Sequence, residues 1–243
     1  SELFNQPNTI LLDGGMGTML QAAGMKLGTR PEDLNIENPE LIRSIHAKYA
    51  AAGSRVVNAN TFGASPHKLA DSKYTLEEVI TAGIANCKQA VAPYGALVTL
   101  DVGPLGELLE PSGTLAFEDA VAEYGRIVRA GVAAGADILY FETFTDLYEM
   151  KAALLAAKEN STLPIMASMS FEANDRTFTG CTVESFAATA RGLGANAVGI
   201  NCSLGPKEIF PMAKRLAEAV PGDFPVFVKP NAGLPRADGS GYD

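Results

Sequence analysis

Short apolar runs alternate with longer amphipathic stretches along this chain. The runs lie at 10–12, 56–57, 97–100, 138–141, 165–169, 197–200 and 226–228, and each leads into polar residues: Asp13, Asn58, Asp101, Glu142, Ser170, Asn201 with Cys202, and Lys229. Short, nearly continuous apolar runs of this kind predict strands of a parallel sheet covered on both faces. The stretches between them read as helices with their own start and stop signals. Asn38 precedes Pro39 and a stripe of Leu41, Ile42, Ile45 and Tyr49, and Gly53 follows the end. Thr75 and Glu78 form a capping box ahead of Val79, Ile80, Ile84, Cys87 and Val91, and Pro93 stops that helix. Asp146 and Glu149 are expected to cap the next stretch in the same way, Thr182 starts another, and Pro206 opens the last, which Pro221 ends.

Strands alternating with helices imply parallel strands joined by right-handed crossovers. Seven strand positions are counted, where a (β/α)₈ TIM barrel has eight. Residues 231–243 carry Gly and Pro and show neither helical nor strand period. The expectation is therefore one α/β domain over 1–243, a TIM barrel without its last strand and flanking helices, with an exposed apolar seam beside strands one and seven. An open doubly wound sheet of seven strands is the rival, and a count alone does not separate the two.

Composition narrows the partners. The 243 residues carry a formal net charge of −9, which argues against nucleic acid or an anionic membrane as partner. No apolar run approaches the roughly 20 residues that span a bilayer, and no signal peptide is visible at the N-terminus. Three cysteines, far apart and odd in number, do not make a disulfide framework, and a cytoplasmic setting is the simplest expectation.

In a barrel, strand-end residues meet at one face, and that face holds the active site. Here it would collect Asp13, Asn58, Asn60, Asp101, Glu142, Ser168, Ser170, Asn201, Cys202, Lys229 and Asn231. Asp13-Gly14-Gly15-Met16-Gly17-Thr18 is either a tight turn or a loop whose free N–H groups hold a carboxylate. It completes neither a Walker loop nor a dinucleotide fingerprint. Asp13 and Glu142 either hold an ammonium group together, or each caps a helix or meets a lysine. Cys202, between a strand and a helix start, is either a thiolate ligand or nucleophile or a small buried hydrophobe. Cys87 reads as core, Cys181 as a loop residue without a role, His46 as helix surface and His67 as loop.

Taken together, Asp-Gly-Gly-Met-Gly-Thr at 13–18, Asn-Ala-Asn-Thr-Phe-Gly-Ala at 58–64, Asp-Val-Gly-Pro-Leu-Gly-Glu at 101–107, Glu-Thr-Phe at 142–144, Gly-Ile-Asn-Cys-Ser-Leu-Gly-Pro at 199–206 and Pro-Asn-Ala-Gly at 230–233 resemble the homocysteine S-methyltransferase family, in this order and over essentially the whole chain. The stretch 35–65 is most similar to the homocysteine module of cobalamin-dependent methionine synthases. The resemblance implies a (β/α)₈ barrel that binds homocysteine and zinc. Asp13 and Glu142 match acids that contact the amino group; Gly15, Met16, Gly17 and Thr18 match the loop that holds the carboxylate. Cys202 matches one of three zinc thiolates, and Asn231 an asparagine near the zinc. The other two thiolates belong to a Gly-Gly-Cys-Cys-Gly motif that this sequence lacks, so the chain is expected to be truncated and to hold no tight zinc. The methyl group would come from methylcobalamin, ultimately methyltetrahydrofolate, on cobalamin- and folate-binding modules of the same enzyme. Betaine, S-methylmethionine or S-adenosylmethionine are alternative donors. An inactive scaffold that binds an amino acid weakly is the alternative from another class.

Overall fold

The computed structural model describes residues 8–26 and 28–232. Six strands pair in sequence order, and every pairing is parallel: β1 (Val56–Asn58), β2 (Leu97–Val102), β3 (Ile138–Phe144), β4 (Ile165–Met169), β5 (Ala197–Asn201) and β6 (Val226–Lys229). The run at 10–12 occupies a seventh strand position but makes a single parallel bridge, Leu12 to Val56. Arg55 N donates to Leu11 O and Asp13 N to Val56 O, so this segment lies alongside β1 without a full ladder.

Sequential order decides against the doubly wound alternative, which requires the strand order to reverse at a switch point. Right-handed crossovers that never reverse place the connecting helices on one face, and the sheet curls with its other face inward. The described residues form an open part of a TIM barrel, curled and all parallel. They include eight α-helices: α1 (Met16–Ala22), α2 (Leu34–Glu37), α3 (Pro39–Ala51), α4 (Leu76–Val91), α5 (Phe117–Ala133), α6 (Leu147–Asn160), α7 (Val183–Gly192) and α8 (Pro206–Glu218).

Strand residues divide by parity between two cores, as a period of two demands. Val57, Val98, Leu100, Leu139, Phe141, Ala167, Val198 and Ile200 point outward and join the large cluster under the helices. Val56, Ile138, Tyr140, Met166 and Ala197 point inward, packed with Leu12, Leu97 and Phe227 as the filling of the barrel. Both faces are buried, which is why the strands read as continuous apolar runs. A third cluster, Leu20, Ile42 and Ile45, fastens α1 to α3.

The caps follow the sequence in most places. Asn38 accepts from Leu41 N, the Thr75–Glu78 capping box is complete, and Thr182 accepts from Ser185 N. Asp146 caps α6 by accepting from Tyr148 N, but Glu149 does not join it. Its Oε1 accepts from Leu105 N and from the Tyr124 hydroxyl, both at 2.8 Å, so it ties the loop after β2 to α5. His46 corrects a second expectation. It is fully buried, not on the helix surface, because α2 and α4 pack over the polar side of α3 as well. At the open edge β6 pairs only with β5 among the described residues, and Val228 there is exposed, as is Leu11 at the opposite edge.

Candidate functional site

Strand ends, the Gly-rich turn after Leu12 and the β6 edge enclose a cavity of about 1370 Å³. Asp13, Asn58, Asn60, Asp101, Glu142, Asn201, Cys202, Lys229 and Asn231 all line it, from six different strand ends or the loops after them. Ser168 and Ser170 do not. Ser168 is buried beneath the floor, and Ser170 donates its N–H to Phe144 O. Asp13, Glu142 and Cys202, each at least 60 residues from the next in sequence, therefore share one cavity.

The acids meet a lysine. Lys229 Nζ lies 3.0 Å from Glu142 Oε1 and 3.3 Å from Asp13 Oδ1, over the Tyr140 ring at 5.4 Å. Asp13 Oδ2 accepts from Asn58 N at 2.8 Å. Burial pushes the Asp13 carboxyl up to about 6 against the opposing pull of Lys229. Burial works against the Lys229 charge as well, but Asp13, Glu142 and Asp101 outweigh it and raise its pKa. Asp101 stands behind them. Burial, then the charge of Glu142, raises its pKa well above the usual carboxylate range. The sequence offers Lys229 only as a strand-end polar residue; that its four-carbon stem reaches back across the barrel to two other strands follows from the curl alone.

β3 carries a register shift between Phe141 and Phe144, and Thr143 there has φ 61°. An irregularity of this kind re-aims side chains at a strand end, and both Glu142 and Thr143 turn to the cavity. Across from it, Cys202 and Ser203 adopt φ 59° and 64°. Three non-glycine residues in the left-handed region cluster at one place, where backbone strain is stored at functional sites. The Asn201 side chain ties Thr143 to Cys202. It accepts from Thr143 N at 3.1 Å and from the Ser168 hydroxyl at 2.7 Å. It donates to Thr143 Oγ1 at 2.7 Å and to Cys202 Sγ at 3.2 Å. The Tyr140 hydroxyl meets Ser168 Oγ at 2.9 Å and extends the network into the barrel filling. Thr143 and Tyr140 carry no sequence motif that singles them out.

The Gly-rich turn is braced by Tyr49, whose hydroxyl donates to Gly15 O at 3.0 Å. A Cβ on Gly14 would lie 2.9 Å from that ring, so only glycine fits. Gly15 caps α1 through its backbone, without a side-chain bond. Gly15, Met16 and Gly17 line the cavity, whereas Thr18 turns back and donates to Gly15 O at 3.3 Å. Asn231 is tied in by its N–H to Leu204 O at 3.1 Å, beside Cys202, whose N–H donates to Lys229 O at 3.1 Å. Glu32, buried with Oε1 accepting from Gly63 N at 2.7 Å, also reaches the wall; nothing in its sequence context announces it.

Cys202 is the one thiol on this wall; Cys87 is buried in the core and Cys181 lies elsewhere. Among the described residues no group of three or more His, Cys, Asp or Glu side chains is arranged to hold a metal ion. A zinc site of three or four protein ligands is thus not made by these residues alone. Among them, too, no helix is long and apolar enough to cross a membrane.

Fold and site together define a partial TIM barrel whose strand ends offer carboxylates, amides and one thiol to a small ligand. The homocysteine S-methyltransferase family model matches residues 10–243, and the chain belongs to that family. It is 29% identical over 249 residues to a methionine synthase of Mycobacterium tuberculosis (strain ATCC 25618 / H37Rv), covering 95% of this chain and 21% of that protein. Against a methionine synthase of Mycobacterium leprae (strain TN) it is 29% identical over 250 residues, covering 95% and 20%. The chain thus spans about a fifth of the length of these relatives. Among solved structures it is similar to the oxidized form of the homocysteine methyltransferase MmuM from Escherichia coli, with a TM-score of 0.83 and 25% identity over 96% of this chain and 85% of that one. The metallated form of the same enzyme matches with a TM-score of 0.81 at 23% identity.

Proposed function

We propose that this chain is the homocysteine-binding module of a methionine synthase, holding homocysteine in the cavity so that its sulfur accepts a methyl group and methionine forms. The observation that carries this reading is that Asp13, Glu142 and Cys202 line one cavity. Asp13 and Glu142, with Lys229 already bound between them, form an anionic patch suited to an ammonium group. The backbone of Gly15, Met16 and Gly17, with Thr18 behind it, is where the carboxylate would sit. That leaves the sulfur directed toward Cys202 and Asn231. A bound zinc would supply the deprotonated, nucleophilic sulfur. Cys202 is the one thiolate this wall contributes, and the remaining ligands would have to come from beyond the described residues. Methylcobalamin is the proposed donor, since the methionine synthase relatives are about five times as long and have room for folate and cobalamin modules. A cytoplasmic setting belongs to the same proposal.

Titration calorimetry with homocysteine tests the binding step directly. Asp13→Asn should weaken binding by about tenfold, because it removes one of the negative charges that face the ammonium group. Unchanged affinity in that variant, or no binding by the unaltered protein, would sink the reading.

A further inference from the structure

We propose that Asp101, at the end of β2, is a further substrate-binding residue, the carboxyl that receives the ammonium group of the amino acid in this cavity. This rests on the reading above that the substrate is homocysteine.

Three carboxyl groups, Asp13, Asp101 and Glu142, converge on one cavity with, among the described residues, a single cation, Lys229. Both oxygens of Asp13 and one of Glu142 are already engaged. Asp13 accepts from Asn58 N and from Lys229, and Glu142 Oε1 accepts from Lys229. Asp101 is different. Among the described residues its Oδ1 has no hydrogen-bond partner, although the residue is only 6% exposed and lines the cavity. Thr61 holds Asp101 firmly, but only through the backbone: Thr61 Oγ1 donates to Asp101 O at 2.8 Å and accepts from Asp101 N at 3.1 Å. The side chain is fixed in place with an acceptor left over. Buried polar atoms in native proteins nearly always find a partner, and an exception marks a missing water, ion or ligand. The cluster itself shows what chemistry it takes, because an ammonium group, that of Lys229, is already seated in it.

The charge balance points the same way. Three ionised carboxyls against one lysine leave two negative charges buried together, an arrangement that favours uptake of a proton. Burial and the neighbouring Glu142 both shift Asp101 toward its protonated form, which relieves this charge in the free site. The remaining neighbour, Tyr140, stays neutral, since burial pushes its phenol up and its hydroxyl is engaged with Ser168. An arriving ammonium replaces that proton. The proton leaves to solvent, an ammonium N–H donates to Asp101, and the cluster keeps the same net charge.

Two thiols that differ only in the amino group, homocysteine and 4-mercaptobutyrate, separate this role from general effects. By calorimetry at pH 7, Asp101→Asn should weaken homocysteine by about tenfold or more and leave 4-mercaptobutyrate within about twofold. In the unaltered protein, homocysteine binding should release about one proton, read from binding enthalpies in buffers of different ionisation heat, and 4-mercaptobutyrate should release none. This second measurement decides the matter even if Asp101→Asn does not fold. Equal weakening of both thiols, no weakening of either, or equal proton release overturns the role of Asp101 while homocysteine binding stands. Failure of the unaltered protein to bind homocysteine overturns the proposed function as well.

Discussion

The Asn201 carboxamide nitrogen lies 3.2 Å from the Cys202 sulfur and donates to it, while the carboxamide oxygen accepts from Ser168 and Thr143. The side chain is fully buried. Replacing it with alanine strands a hydroxyl and a backbone N–H, each worth about 1–3 kcal/mol when left unpaired. Asn201→Ala should therefore lose roughly 3 kcal/mol in urea unfolding, and Cys202 should alkylate at a changed rate. Cys202→Ser, by contrast, should cost under about 1 kcal/mol, because its sulfur completes no other bond of comparable strength.

Lys229 offsets two buried carboxylates, and removing one partner of such a set is strongly destabilising. Lys229→Met should cost on the order of 3 kcal/mol at pH 7. The loss should shrink at pH 5. Without the lysine, Asp13 loses the interaction that lowers its pKa, so it takes up a proton more readily as pH falls. Melting temperatures of both proteins at the two pH values check this; an equal deficit at each would mean that Lys229 acts through packing instead.

His46 sits inside α3 with neither ring nitrogen hydrogen-bonded, and burial lowers its pKa from 6.5 to about 4. Between those values the unfolded chain binds a proton that the native chain does not, so this residue costs stability as pH falls from 6.5 toward 4. Asp13, raised from 3.8 to about 6, works in the opposite direction over nearly the same window: the native chain holds the extra proton, and its stability declines as pH rises. The two partly cancel in the unaltered protein, so the variant is the informative comparison. His46→Leu should gain about 1 kcal/mol at pH 7 from removing the unpaired nitrogens, and its advantage should widen by about 3 kcal/mol on acidification to pH 4. A constant difference across that range would show that the imidazole titrates alike in the folded and unfolded chains.

One thiolate on the cavity wall is too few for a catalytic zinc site of three protein ligands. The purified chain should hold well under one equivalent of zinc after dialysis. A full equivalent that disappears in Cys202→Ser would show that further donors complete a site around this residue.

The local pattern determines a good deal about this protein. Strand and helix positions are legible because a doubly covered parallel strand needs a continuous apolar run and a helix start needs its cap, as Asn38, Thr75 and Thr182 show. The motif order places the family. What the sequence leaves open is decided by contacts between distant residues. Sequential strand pairing, not strand count, separates the curled barrel from the doubly wound sheet. Only that curl brings Lys229 between Asp13 and Glu142, and only packing from two sides buries His46 and turns Glu149 from helix cap to loop anchor. Apolar periodicity and capping act over a few residues and leave a signature there, whereas Lys229 finds its partners 87 and 216 residues away, where nothing local records which of several acids it will meet.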